Sequence, residues 1–330
     1  MMTNTRQLGP FQVSALGLGC MNLSHAYGVP PSAEQAAAVL LRALDLGVTL
    51  FDTAALYGFG ANETLLGNVL SAHRSKFVLA SKCGMQGVDG KRVIDGRPAT
   101  LKATCEAALQ RLKTDVIDLY YLHRFDRQVP IEDSVGALAE LVREGKIRTI
   151  GLSEVSAVTL RKAHAVHPIT AVQNEYSLWS RNVEIAVLDA CRELGVAMVA
   201  FSPVARGFFS GAVRDAAQLD PKDIRRAMPR FQGDNLVANL QLLEPFNALA
   251  AEAGCTANQL ALAWLLAQGE HVIPIPGTTS IAHLEEDLAA ADVVLSPATL
   301  QRADALINQR TVQGPRYNAA TQTEIDTEEF

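Results

Sequence analysis

Short runs of β-branched and apolar residues recur along the chain, and almost every one is followed by a stretch in which apolar positions return every three or four residues. Eight such runs read as strands, at 13–19, 48–53, 77–82, 116–123, 147–153, 171–177, 196–202 and 272–277. The helical stretches follow at 32–47, 62–74, 100–114, 132–145, 156–164, 182–195, 256–269 and 281–292. The strands lack strict alternation, so both of their faces are expected to be covered. Strands of that kind joined by helical crossovers form a parallel sheet, and eight such units close into an α/β (β/α)8 TIM barrel.

Two segments exceed the minimum. RQLGPFQV near the start predicts an N-terminal β-hairpin turning at Gly9–Pro10, and residues 203–255 predict a long loop plus an extra helix before the last strand. No linker or change of composition divides the chain, so 1–330 is read as one barrel domain, with 311–330 a tail that either folds over the mouth or stays loose. A dinucleotide-binding doubly wound sheet would carry GxGxxG after its first strand. GLGCMN and GFGANE both lack the third glycine.

Composition narrows the function by exclusion. A formal net charge of −6 leaves no basic excess for a nucleic acid partner. There is no apolar leader and no run long enough for a membrane span, which makes a cytoplasmic protein the expectation. The cysteines number five, an odd count without a CxxC pair, so reduced thiols are expected and no metal site is predicted. Assembly, as monomer or homo-oligomer, is left open.

Chemistry in a barrel gathers at the C-terminal ends of the strands. There the sequence sets Asp52, Lys82 and His123 on three neighbouring strands, with Tyr57 on the loop after the first. Any one of these has an ordinary explanation as a cap, a snorkelling lysine or a packed ring. Together they are a poor fit to packing, because buried charges must be paired. Asp52 would hold Lys82 as an ammonium, the ammonium would lower the pKa of Tyr57, and the phenol would become a proton donor to a carbonyl oxygen that His123 also binds. Nothing in the pattern is a nucleophile beside an activating base, and Asp52 would keep Lys82 too protonated for Schiff-base chemistry.

FDTAALYGFGANETLLG, LASKCG, IDLYYLHRFD, GKIRTIGLSEVS, VQNEYSLWSR, FSPVARGFFSG and PIPGTTSIAHLEEDLAAA, in that order, resemble the aldo-keto reductase superfamily. The opening GLGCMNLSHAYG is most similar to its bacterial and plant branch of general aldehyde reductases, of the pyridoxal or perakine reductase type. The resemblance runs from about residue 8 to 310. It implies a (β/α)8 barrel, NADPH-dependent reduction of aldehydes or ketones, and a catalytic tetrad at Asp52, Tyr57, Lys82 and His123. It also implies that Ser153, the following position and Gln173 hold the nicotinamide carboxamide, the family's usual Asn being Glu154 here, and that Phe201 stacks on the ring. Ser202, Val204, Arg206 and Gly207 would meet the pyrophosphate. Gly277, Thr278, Thr279, His283, Glu286 and Asp287 would meet the adenosine end. No Lys or Arg lies between Pro276 and Asp292, where relatives often place one for the 2′-phosphate, so NADH or dual use stays open beside NADPH. Met21, Tyr27, Phe59, Phe125 and Trp179, joined by Tyr317 from the tail, are the expected walls for a small-molecule carbonyl substrate with a hydrophobic or aromatic body. No Arg or Lys is obviously placed for a carboxylate or phosphate substrate, although Arg124 and Arg230 could reach inward from loops. Some relatives are cofactor-binding regulatory subunits with slow turnover, and that is the alternative function.

Overall fold

The computed structural model describes residues 4–88 and 91–330. A two-stranded antiparallel hairpin, β1 (Thr5–Leu8) and β2 (Phe11–Ser14), comes first and turns at Gly9–Pro10. The main sheet has eight strands: β3 (Leu18–Gly19), β4 (Leu50–Asp52), β5 (Val78–Cys83), β8 (Ile117–Leu122), β9 (Ile147–Ser153), β10 (Ile169–Glu175), β11 (Ala197–Phe201) and β12 (Val272–Pro274). A second hairpin, β6 (Met85–Val88) and β7 (Lys91–Ile94), leaves the mouth after β5. All neighbours in the main sheet are parallel. The ring closes where Gly17 N–H donates to Pro274 O and Gly19 N–H to Pro276 O, both at 3.0 Å.

The helices are α1 (Ala33–Asp45), α2 (Ala61–Leu70), α3 (Pro98–Leu112), α4 (Ile131–Arg143), α5 (Ala157–Val166), α6 (Val187–Leu194), α7 (Gly233–Leu240), α8 (Leu243–Glu252), α9 (Ala257–Leu266), α10 (Ile281–Ala289), α11 (Pro297–Leu306) and α12 (Ala319–Gln322). Local chemistry starts several of them. Capping boxes open α1 (Ser32 with Gln35) and α9 (Thr256 with Gln259), and proline occupies the first turn of α3 and α11. Among the described residues no helix is long and apolar enough to cross a membrane.

Several boundaries differ from the sequence reading. The run 13–19 divides between β2 and β3, because Ser14 Oγ bonds to Leu16 O and turns the chain from the hairpin into the barrel. The 203–255 insertion contains two α-helices, α7 and α8, with short 3-10 turns before them. The first turns of 182–195 are 3-10 and irregular, and regular helix starts at Val187.

Two layers of apolar packing follow from the period of two along a strand. Outward residues such as Phe51, Leu79, Tyr120 and Leu122 meet the helices. Inward residues such as Leu50, Val78, Ala80, Leu119, Tyr121 and Val199 fill the barrel. Leu8 and Val13 of the first hairpin, both fully buried, join the inner group and plug the foot of the barrel. Gly151 leaves room for Tyr121, whose ring carbon would lie 2.3 Å from an added Cβ.

Candidate active site

The inward parity of each strand decides which polar residues reach the mouth. Counting by two from Leu50 gives Asp52, from Ala80 gives Lys82, from Tyr121 gives His123, from Gly151 gives Ser153, from Ala171 gives Gln173, and from Val199 gives Phe201. All six line one cavity of about 590 Å³ except Lys82, which lies fully buried beneath it. Tyr57 reaches the cavity from a turn in which Gly58, Phe59 and Gly60 have φ of 57°, 53° and 92°. Three left-handed residues in succession swing the chain from β4 into α2 within a few residues. Asn62 at the start of α2 then ties the turn down, accepting from Thr53 Oγ1 at 2.6 Å and donating to Cys20 O and Ser24 Oγ.

The ammonium of Lys82 uses its three donors on Asp52 Oδ1, on Thr53 O at 2.8 Å and on the Tyr57 hydroxyl at 3.1 Å. Asp52 Oδ2 accepts from Gln173 Nε2 at 2.7 Å. His123 stands edge-on to the Tyr57 ring, centroids 5.8 Å apart. The four residues expected to converge therefore do so. Burial works against the Lys82 ammonium, but Asp52 and Tyr57 hold its pKa above the ordinary value. Burial raises the Asp52 carboxyl, with Lys82 opposing. The phenol departs from the sequence reading: burial pushes its pKa above the usual value, and Lys82 only offsets part of that rise. Burial, with the charges of Arg124 and Lys82 behind it, depresses His123 well below its usual range, so the ring is neutral.

Met21, Tyr27, Ser153, Phe201, Ser202, Val204, Gly207, Gly277, Thr278, Thr279, His283 and Asp287 all line the cavity, with Tyr317 from the tail. Gly277 has a packing reason: an added Cβ would stand 2.7 Å from Gly19 O, where the last strand-to-helix loop crosses the first. Other expected residues do not line it. Trp179 lies in the core, its ring centroid 4.0 Å from that of Phe208. Phe59 points to solvent and covers Gly87, and Phe125 packs on the core. Glu286 turns to α9, accepting from Thr256 Oγ1 at 2.6 Å.

Arg206 lines the cavity, but its guanidinium is committed to Glu175 at 2.6 Å and to the Tyr317 hydroxyl at 3.1 Å. Burial opposes the Glu175 charge, yet Arg206, Arg316 and Arg230 hold its pKa down at about 2. Glu154 adopts a left-handed φ of 55°, accepts from Glu175 N–H at 2.9 Å and pairs with the buried Arg316. It is therefore engaged by the tail and is absent from the cavity wall. Further tail contacts fasten the segment: Asp326 Oδ2 accepts from Ser156 N–H and Thr159 Oγ1, and Glu328 from Ala157 N–H, all at the start of α5. Arg230 is half-buried away from the cavity, donating to Trp179 O and Ser180 Oγ.

Sequence reasoning missed several wall residues, among them Asn22, His25, Arg92, Arg225 and Asn258. The acids in SEVS and NEYS, inside otherwise apolar strand ends, were the available signal that buried arginines lay nearby.

Known proteins with this architecture share the fold over nearly the whole chain. The chain is similar to the glycerol dehydrogenase of Gluconobacter oxydans, with 27% identity, 97% of this chain and 99% of that one covered, and a TM-score of 0.86. It is also similar to an aldo-keto reductase from Bacillus halodurans in its holo form, with 28% identity, 96% and 98% covered, and a TM-score of 0.76. An aldo/keto reductase from Klebsiella pneumoniae in complex with NADP and acetate matches at 28% identity, 95% and 98% coverage and a TM-score of 0.72. Residues 15–308 match the aldo/keto reductase family itself, so this chain belongs to that family of oxidoreductases.

Proposed function

We propose that this protein reduces aldehydes or ketones to alcohols with NADPH, using Tyr57 as the general acid. The single observation that carries the reading is the Lys82 ammonium bonded at once to the Tyr57 hydroxyl and to Asp52 beneath an open cavity. The cavity suits a dinucleotide in its shape and donors. Phe201 offers an aromatic face, Ser153 and Gln173 offer amide-matching groups, Ser202, Val204 and Gly207 form the adjoining loop, and Thr278 and Thr279 lie on the loop that leads into the N-terminus of α10. When bound, NADPH supplies the hydride.

The chain's own residues do the rest. Tyr57 holds a proton at its hydroxyl and releases it to the carbonyl oxygen as negative charge develops there. Lys82 stabilises the phenolate left behind, and Asp52 keeps Lys82 charged. His123, kept neutral, hydrogen-bonds the same oxygen and orients it. The raised phenol pKa is consistent with a group that stays protonated until it reacts.

A second cofactor reading rests on Asp287. It is a buried carboxylate on the wall where the adenosine is expected, and no Lys or Arg lies between Pro276 and Asp292. That favours NADH, which lacks the 2′-phosphate. Dissociation constants for both reduced cofactors, measured by fluorescence, separate the two. For the acid, Tyr57→Phe is expected to lower kcat by roughly 100-fold or more and to leave cofactor affinity nearly unchanged. An equal loss of affinity would make the phenol structural.

A further inference from the structure

Among the described residues six charged side chains line the cavity, and four of them carry an ion pair. Asp52 is paired with Lys82, Arg92 with Glu324, Arg206 with Glu175 and Arg225 with Asp223. Asp287 lies on α10, where the adenosine is expected. Arg124 remains, a cation on the wall with no carboxylate within ion-pair distance among the described residues.

Its placement is fixed by the protein. One end, Nη1, donates to His123 O at 2.6 Å and to Ser153 Oγ at 3.3 Å, so the guanidinium bridges the ends of β8 and β9 beside the His123 ring. Nε is shut away from water without an acceptor among the described residues. Nη2 makes no hydrogen bond among the described residues and is not enclosed. A guanidinium anchored on one side and open on the other, next to the reacting centre, is an anion-binding group held in position. An unmatched charge half-buried in a protein wall is unfavourable unless a ligand completes it.

We propose that Arg124 binds a carboxylate carried by the carbonyl substrate, so that the preferred substrates are oxo acids: aldehydes or ketones that bear a carboxylate on the same molecule. This rests on the carbonyl-reductase reading above and narrows it. It also revises the apolar, aromatic wall expected from sequence, because Phe59, Phe125 and Trp179 are elsewhere while Asn22, His25 and Arg124 are present.

The test compares para-carboxybenzaldehyde with its methyl ester, which has the same ring and aldehyde without the charge, using the full chain and NADPH. The wild-type protein is expected to favour the acid in kcat/KM by about ten-fold or more, as a hydrogen bond to a charged group would give. In Arg124→Met that preference is expected to fall by about ten-fold to a hundred-fold, chiefly through KM, and Arg124→Lys is expected to retain part of it. Equal use of acid and ester by the wild type overturns the proposal. So does a loss in Arg124→Met that strikes acid and ester alike, since that outcome makes Arg124 a positioning residue for His123 and Ser153. Preference for para-formylphenyl phosphate over the carboxylate overturns it in favour of a phosphate. If neither aldehyde oxidises NADPH, the reductase reading has failed separately. Titration of the NADPH complex with para-(hydroxymethyl)benzoate, followed by the fluorescence of the bound nucleotide, then decides: weaker binding in Arg124→Met supports the carboxylate site, and unchanged binding overturns it.

Discussion

Replacing Asp287 by Asn should stabilise the protein, and more so in alkaline than in acidic solution. Asp287 is 5% exposed, and burial, followed by the neighbouring charge of Glu286, raises its carboxyl pKa to about 7 from an ordinary 3.8. The folded pKa lies above the unfolded one, so the contribution to stability is fully present below about 3.8 and is lost as pH rises through about 7. At roughly 1.4 kcal/mol for each factor of ten in proton affinity, the whole loss is about 4 kcal/mol, an upper figure because the side chain borders a cavity. Roughly half of it falls between about pH 5.5 and pH 8. Asn has nearly the same shape and cannot ionise, so it escapes the loss. For a chain of this length, about 2 kcal/mol corresponds to a Tm difference of about 3 °C. Thermal unfolding of the cofactor-free protein and of Asp287→Asn in buffers at about pH 5.5 and pH 8 gives four midpoints. The gain from the substitution should be about 3 °C larger at the higher pH. An equal gain at both, or a larger one in acid, would show that the carboxyl is solvated or paired and would leave the second cofactor reading to rest on the missing Lys and Arg alone.

Two further outcomes concern the scaffold. Gly67→Ala should destabilise by about 1–3 kcal/mol or more, because the new Cβ would stand 2.2 Å from Arg111 O and 2.8 Å from the Leu112 carbonyl carbon, forcing α2 off α3; chemical denaturation reads it directly, and a neutral result would mean that the helices have slack. Arg316→Met should cost about 3 kcal/mol by leaving Glu154 buried without its partner, and adding Glu154→Gln should recover much of it; a double variant no better than the single one would show that the two side chains act independently.

How much was legible in the sequence depended on periodicity. Asp52, Lys82 and His123 were readable because each extends the inward parity of an apolar strand, a pattern that one chain carries on its face. Tyr57 was readable through its spacing from Asp52. Residues on loops have no such period, which is why Phe59, Phe125 and Trp179 were assigned to a wall they do not form while Asn22 and His25 were passed over. Arg206 was read as a phosphate ligand from the resemblance, and its partners, Glu175 at the end of β10 and Tyr317 in the tail, are far from it in sequence. Contacts across such distances leave no mark on local spacing. The hairpin Met85–Ile94 and the division of the 203–255 insertion into two helices were missed for a related reason: both are short elements whose packing partners, not their own patterns, define their limits.

The side chains that fill the barrel, with Leu8 and Val13 below them, close the cavity toward the foot of the barrel. A molecule lying against the strand ends can therefore approach and leave only from the loop side. An inert occupant lying over it on the loop side would slow its escape in proportion to how often it is present.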